Sequence, residues 1–364
     1  MKVLGMYMGP TQATLVESDA KKILHSFSIP YPKSEGTDSE PKALDLNALQ
    51  VLIKDGLKHN LIEAKSAFLV VPCKDLIIRS FHMNPLPSKE LNNAVKYEVK
   101  KYIPFKLEDL VADYRAIFDR GNKKNLILFV GIKKDVLQKY TGMLTQLGLK
   151  TESVEYSGFS MLRMLQLASV KEKETVAIIN ADPIEEDEVN FIVMEDGFPL
   201  FNRDIILTGT LPDQGVVKAE KLAMAERQEK LKIELLLSLD FYLRKFPTNN
   251  IKKFIFIAPP DFKADLETFS KERGLLSRYI DPKLFMEKPG AFSLSQFKAY
   301  SGALNKIVPV KTKIDLLSIP SKVAGPSMPR GLTYPTEIKF DQRFLIVGVL
   351  ACAGAFALGL YQKN

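Results

Sequence analysis

The chain has 364 residues, 46% hydrophobic and 26% charged, the composition of a globular protein with room for two or three compact lobes. Its net charge is +8, but the paired lysines at 100–101, 123–124 and 133–134 are dispersed and carry no interleaved aromatic pattern. They read as a solvated face, and nucleic acid is not an expected partner. Cys73 and Cys352 are too few for a disulfide framework and fit a reducing compartment.

The opening MKVLGMYMGP enters a strand pattern at once and has no signal-peptide apolar core, so the large N-terminal part is expected in the cytoplasm. Val3–Ile29 reads strand, turn, strand, polar turn, strand. Val176–Ile205 repeats that order, with turns at Ala181–Glu188 and Glu195–Gly197. The copies share pattern and almost no residues. A three-strand meander that recurs, with helices after each copy, reads as an α/β, two-lobed, ribonuclease-H-like or actin-like fold, with lobes at 1–170 and 171–310. The acidic cluster Glu185–Glu188 has no His or Cys nearby and reads as a solvated hairpin tip, not a metal site.

Ser88 is the expected N-cap of a helix whose Leu91, Ala94, Val95, Val99 and Tyr102 share one face, with Pro104 as its stop. A second helix spans Lys133–Gly148, closed by Gly148. The longest is expected from Val216 to Phe246, before Pro247. Lys252–Phe262 then reads as a buried strand running into a turn.

Residues 311–343 contain Pro320, Pro326, Pro329 and Pro335 without sustained periodicity and read as a linker. Inside it, Lys313–Pro320 (KIDLLSIP) is an apolar island of the kind that docks as a peptide. Phe344 to Tyr361 is a run of 18 residues without charge or proline. As a helix it covers about 27 Å, enough for a single membrane span. Lys339 and Arg343 before it and Lys363 after it favour an N-inside orientation. Ala351, Ala355 and Gly359 form a small-residue stripe that could pack two spans.

One stretch is more specific. Val71–Ile117 carries Arg79, Pro87, Glu90, Leu91, the Tyr97-Glu98 pair, Tyr102-Ile103-Pro104-Phe105 and Asp113-Tyr114. On these residues it resembles the PilM family of actin-like proteins in type IV pilus assembly, related to the cytoplasmic part of the GspL component of type II secretion. Asp196–Ile205, Ile233–Pro247 (with Ser238 and Phe241-Tyr242) and Tyr300–Asn305 extend the resemblance over most of residues 1–310. It implies an inserted strand–helix–strand–strand subdomain of the SHS2 type at about 65–150. It also implies Arg79, Glu98, Ile103 and Phe105 as lining or supporting a partner groove. The family's partner PilN begins with an Ile-Asn-Leu-Leu-Pro type peptide that docks in that groove. Ile314, Leu316, Leu317 and Ile319 lie in a similar peptide on this same chain, ahead of the span, as in GspL.

Leu4–Val16 has the outline of an actin-like phosphate loop around Gly9, but Tyr7 stands in place of the acid and Thr14 in place of the basic residue. Pro10 also removes a backbone N–H. The second phosphate loop holds Asn180-Ala-Asp182, and the adenosine turn holds Ala258-Pro259-Pro260 instead of glycines. Positioned charge carries most of phosphoryl transfer, so a pseudo-ATPase with no cofactor, ATP included, and no metal is expected. The resemblance implies a non-enzymatic platform protein of the bacterial inner membrane. Its partners would be PilN/PilO-like or GspM-like subunits, the cytoplasmic motor ATPase, and further copies of itself. Two alternatives stay open. One is a diverged ATP-binding or ATP-hydrolysing enzyme using Asp182, Asp113 or Asp204. The other is a membrane-attached division protein of the FtsA type, although those usually attach by an amphipathic helix and the final run here has no polar face.

Overall fold

The computed structural model describes residues 2–19, 22–32, 45–170, 173–182, 187–207, 224–281 and 293–317. The apolar run 344–361, Ile319, most of the expected linker, Glu185 and residues 216–223 lie outside the described residues. Among the described residues no helix is long and apolar enough to cross a membrane.

The first sheet is built from β1 (Lys2–Met8), β2 (Gln12–Asp19), β3 (Lys22–Pro30) and, after helix α1 (Leu46–His59), β4 (Ser66–Val71). A second unit follows: β5 (Leu76–Met83), α2 (Ser88–Val99), β6 (Leu110–Asp119) and β7 (Lys124–Lys133). The chain then passes through α3 (Lys134–Gln146) and returns to the first sheet as β8 (Lys150–Tyr156), followed by α4 (Ser157–Ser160) and α5 (Leu162–Leu167). The second lobe contains β9 (Val176–Asn180), β10 (Glu188–Glu195), β11 (Phe198–Ile206), α6 (Met224–Lys245), β12 (Lys253–Ile257), α7 (Lys263–Lys271) and β13 (Leu276–Tyr279). Helix α8 (Leu294–Ala303) comes last.

The duplicated pattern is a duplicated topology. The strand orders are β3-β2-β1-β4-β8 and β11-β10-β9-β12-β13. In each sheet the three meander strands are antiparallel and the last two join in parallel. Central strands β1 and β9 are buried on both faces, which is why they read as unbroken apolar runs and not as alternation. The three-stranded sheet β5-β7-β6 is separate, and Leu91, Val95 and Val99 of α2 pack with Ile77, Phe81 and Ile127 on it.

Two helix ends differ from the sequence reading. Helix α2 starts at Ser88 with Pro87 in the capping position, and the Pro87 carbonyl accepts the Glu90 and Leu91 N–H groups. It stops at Val99, ahead of Pro104, because Lys101 and Tyr102 turn back onto the Glu98 and Val99 carbonyls. Gly148 closes α3 at φ +75° as expected of a left-handed cap.

Helix α8 lies on the first sheet with almost no space between backbones. A Cβ on Gly5 of β1 would stand 1.8 Å from the Ala299 carbonyl oxygen, and one on Gly302 would stand 2.6 Å from Val70. Every residue of α8 except Gln296 is buried, so it shows no amphipathic stripe in the sequence. We expect Gly5→Ala to cost at least about 3 kcal/mol, because the obstruction is helix backbone that cannot rotate away. Gly142→Ala, on α3 with nothing within 4 Å, should instead raise stability by about 0.5–1 kcal/mol. Urea unfolding of the two variants checks both.

Candidate functional site

The two phosphate-loop positions and α8 meet between the lobes. The β1–β2 turn is closed by the Gly9 N–H donating to Gln12 O at 2.9 Å, and the Tyr31 hydroxyl donates to Gly9 O at 2.8 Å. Both backbone groups of Gly9 therefore have protein partners. Thr14 is buried and shares a 2.9 Å hydrogen bond with Ser28 on β3. Asp182, also buried, accepts the Leu294 N–H at 3.3 Å, so the surviving acid sits on the N-terminus of α8. Asn180 is buried with neither amide atom bonded among the described residues. At the adenosine turn the Ala258 carbonyl accepts the Tyr279 hydroxyl, and Pro259 is buried while Pro260 is exposed.

Lys298 of α8 fills the space behind these loops. Its ammonium donates to the Tyr7 hydroxyl at 3.1 Å and to Glu188 at 3.3 Å, and all three side chains are buried. Tyr7 belongs to the first lobe and Glu188 to the second, so one lysine ties them. Glu188 also accepts from Ser157 at 3.1 Å, from Asn190 at 3.2 Å and from the Cys73 N–H at 3.3 Å. Beyond Asn190 lies Asp204, which accepts from Asn190 and from the Tyr156 hydroxyl. Burial, and then the charge of Glu188, push the Asp204 carboxyl up to about 6. Burial also pushes the Cys73 thiol far above its ordinary range, leaving it without thiolate reactivity. Among the described residues no His, Cys, Asp and Glu group could hold a metal ion.

A second site lies where the chain leaves α8. The segment 311–317, expected as the start of the linker, is packed on the body. Lys311 reaches Asp196, and Thr312 donates to the Gly197 carbonyl, both at the β10–β11 turn. Ile314 and Leu316 are 4% and 1% exposed within the main core, while Leu317 is 37% exposed. Strand β8 is the open edge of its sheet, and this segment pairs with it: the Leu316 N–H donates to Val154 O at 2.9 Å and the Val154 N–H to the Asp315 carboxylate at 3.1 Å. The Asp315 N–H donates to Asp113 of β6 at 3.3 Å. Lys313 holds Asn305, which donates to Glu155, and Glu155 is gripped by both guanidinium nitrogens of Arg163 at 2.6 and 2.9 Å. One short segment thus touches both lobes and the three-stranded sheet.

A family model described as Type IV pilus assembly protein PilM matches residues 17–243. The chain belongs to the PilM family. Among solved structures, it is similar to a chain of a PilM–PilN type IV pilus biogenesis complex, at 17% identity over 85% of this chain and 99% of that one, with a TM-score of 0.61. That likeness shows a shared fold. The cytoplasmic domain of EpsL, an inner membrane component of the type II secretion system of Vibrio cholerae, matches at 12% identity over 87% and 98% of the two chains, with a TM-score of 0.49. A Bacteroides thetaiotaomicron protein with an actin-like ATPase fold and unknown function matches at 10% identity over 82% and 95%, with a TM-score of 0.45.

In this PilM-family chain the residues named for a partner groove fall in two places. Ile103 is buried in the core of the three-stranded sheet, and Arg79 donates to the neighbouring Tyr102 carbonyl at 3.1 Å. Phe105 is 39% exposed beneath the Lys133 ammonium, and Glu98 pairs with Lys101 on the same helix end. Ile314 and Leu316 belong to the main core instead. The candidate acid Asp113 accepts from Arg115 at 2.7 Å. Sequence reasoning missed Lys298 and the Asn305–Glu155–Arg163 chain, and it placed Glu188 in a solvated hairpin tip, whereas this carboxylate is buried against Lys298. A lone lysine inside the small, apolar SLSQFKAYSGALN was the one available signal.

Removing one member of a buried ion pair strands the other, so Lys298→Met should cost about 3–5 kcal/mol, and adding Glu188→Gln should recover most of it. Asp204 supplies a pH test. Its folded pKa lies above the ordinary 3.8, so its contribution to stability is complete below that value and is lost as pH rises through about 6. Asp204→Asn should flatten the loss between those limits by on the order of 2 kcal/mol, read from urea midpoints at each pH.

Proposed function

We propose that this protein is a non-enzymatic assembly-platform component of a type IV pilus or related secretion machine, held at the bacterial inner membrane by the apolar run 344–361. In this reading the actin-like body faces the cytoplasm and couples PilN/PilO-like or GspM-like subunits to the motor ATPase. The observation that carries it is the Lys298 ammonium, buried against Tyr7 and Glu188 with its charge already met inside the protein. The engaged Gly9 N–H and the engaged Asp182 carboxylate support it too, since neither is poised for a phosphate or its metal ion. Asn180, with its unbonded amide, favours the second reading, a protein that binds nucleotide without turning it over.

The segment 313–317 supports a further part of the reading: the chain carries its own copy of the partner peptide and docks it on its own body. Lys313-Ile-Asp-Leu-Leu317 resembles the start of PilN, and its two buried apolar side chains are the ones such a peptide would bury.

Two measurements test this. Calorimetry of the full chain in detergent with saturating Mg-ATP should show no heat of binding; saturable heat would return the reading to a nucleotide switch. Leu316→Asp should release the segment and open the body to a synthetic KIDLLSIP peptide, whereas the unaltered chain should not take it up. A variant that stays closed to the peptide would remove the docking proposal.

A further inference from the structure

Helix α6 buries one face and leaves the other exposed, with the Arg203 guanidinium over the Phe241 ring on the exposed side. Leu231, Leu235, Ser238, Tyr242 and Phe246 are buried against the second lobe. At mid-helix the opposite face is apolar, with charged residues towards either end. Ile233 is 50% exposed, Leu236 and Leu237 are each 43%, and Phe241 is 51%. Those four positions are spaced as one helical face meeting another, at i, i+3, i+4 and i+8.

The charges around them settle what fits. Along the outward face, Glu226, Lys230, Ile233, Leu237, Asp240 and Arg244 follow one another at intervals of four, three, four, three and four residues. That is the seam of a coiled-coil-like contact. Its order is acid, base, apolar, apolar, acid, base. Reversed about Leu235, the same list pairs Glu226 with Arg244, Lys230 with Asp240 and Ile233 with Leu237, each twice. Sliding the reversed copy by a heptad sets charge against leucine or isoleucine. A parallel copy sets every charge against itself. Only the antiparallel, two-fold register complements at all six positions, and a two-fold contact requires that kind of self-complementarity.

We propose that α6 is a contact between two copies of this chain, paired antiparallel about a two-fold axis at the level of Leu235, on the side of the helix away from its buried side chain. The occupant of the exposed face is a second copy, because the seam's charge order is complementary to its own reverse. Asp240 and Arg244 pair within the helix at 2.7 Å in the single chain, where both are exposed. A surface pair of this kind contributes little, so sharing those charges with the second copy costs little. One helix pair lies at the small end of specific interfaces, so the dimer is weak and reversible. The contact does not depend on the nucleotide reading or on the docked segment, and a nucleotide-using protein would present the same face.

Sedimentation equilibrium of the full chain in detergent tests it, with charge variants at the exposed seam positions and urea unfolding of each variant as the folding control. The unaltered chain is expected to show a concentration-dependent dimer. Leu237→Asp and Asp240→Lys should each weaken it about tenfold or more. Lys230→Glu combined with Asp240→Lys reverses both members of the pair and should restore it. A short bismaleimide gives the register: Ile233→Cys mixed with Leu237→Cys should cross-link faster than either variant alone, with the unaltered chain as the background for Cys73 and Cys352. A chain that is monomeric throughout overturns the proposal, as does a dimer indifferent to Leu237→Asp. Failure of the double reversal to rescue, or faster cross-linking of Ile233→Cys with itself, overturns the antiparallel register.

Discussion

The structure depends on the direct contact of α8 with β1. Gly5 and Gly302 remove the side chains that would hold helix and sheet apart, and the helix settles onto bare strand backbone. At that depth Lys298 has no route to solvent, so its charge must be met inside the protein. It is met by one group from each lobe, Tyr7 and Glu188. A packing contact at two glycines therefore becomes an electrostatic tie across the molecule. Asp182, bonded to the first N–H of the same helix, adds a second tie from the far lobe.

This arrangement bears on what the cleft can do. A fold that cycles nucleotide needs lobes that part and close around phosphates, and fixed charges waiting for them. Here the lobes are joined by a buried ion pair that would have to be broken or hydrated on opening, at the desolvation cost such pairs carry. That ion pair is a side-chain link between the lobes. The segment 311–317 adds to it: it completes the β8 edge, reaches the β10–β11 turn and touches Asp113 on the three-stranded sheet.

Much of the fold was legible in the sequence because it lives in local periodicity. The two meanders, the α2 face of Leu91, Val95 and Val99, and the glycine closing α3 each follow from strand or helix spacing and one cap. The helix end at Tyr102-Ile103-Pro104-Phe105 carried the family resemblance, and a match over residues 17–243 places the chain in that family. The candidate site was half legible. Tyr7, Asp182 and the apolar island at 314–316 stood out by type and position. Lys298, Asn305 and Glu155 did not, nor did the burial of Glu188, because no spacing marks a residue whose partner is more than a hundred positions away.

The sequence by itself determined where most strands and helices form and that the pattern occurs twice. Those are properties of a few adjacent residues, set by backbone geometry and side-chain alternation. Only the tertiary structure decided that α8 would be buried nearly all round, that its single lysine would join the two lobes, and that the first residues of an apparent linker, 311–317, would pack on the body and reach an open strand edge. Each of those rests on non-local burial, where a polar group's partner is chosen by what the fold brings within hydrogen-bonding distance and not by its neighbours along the chain.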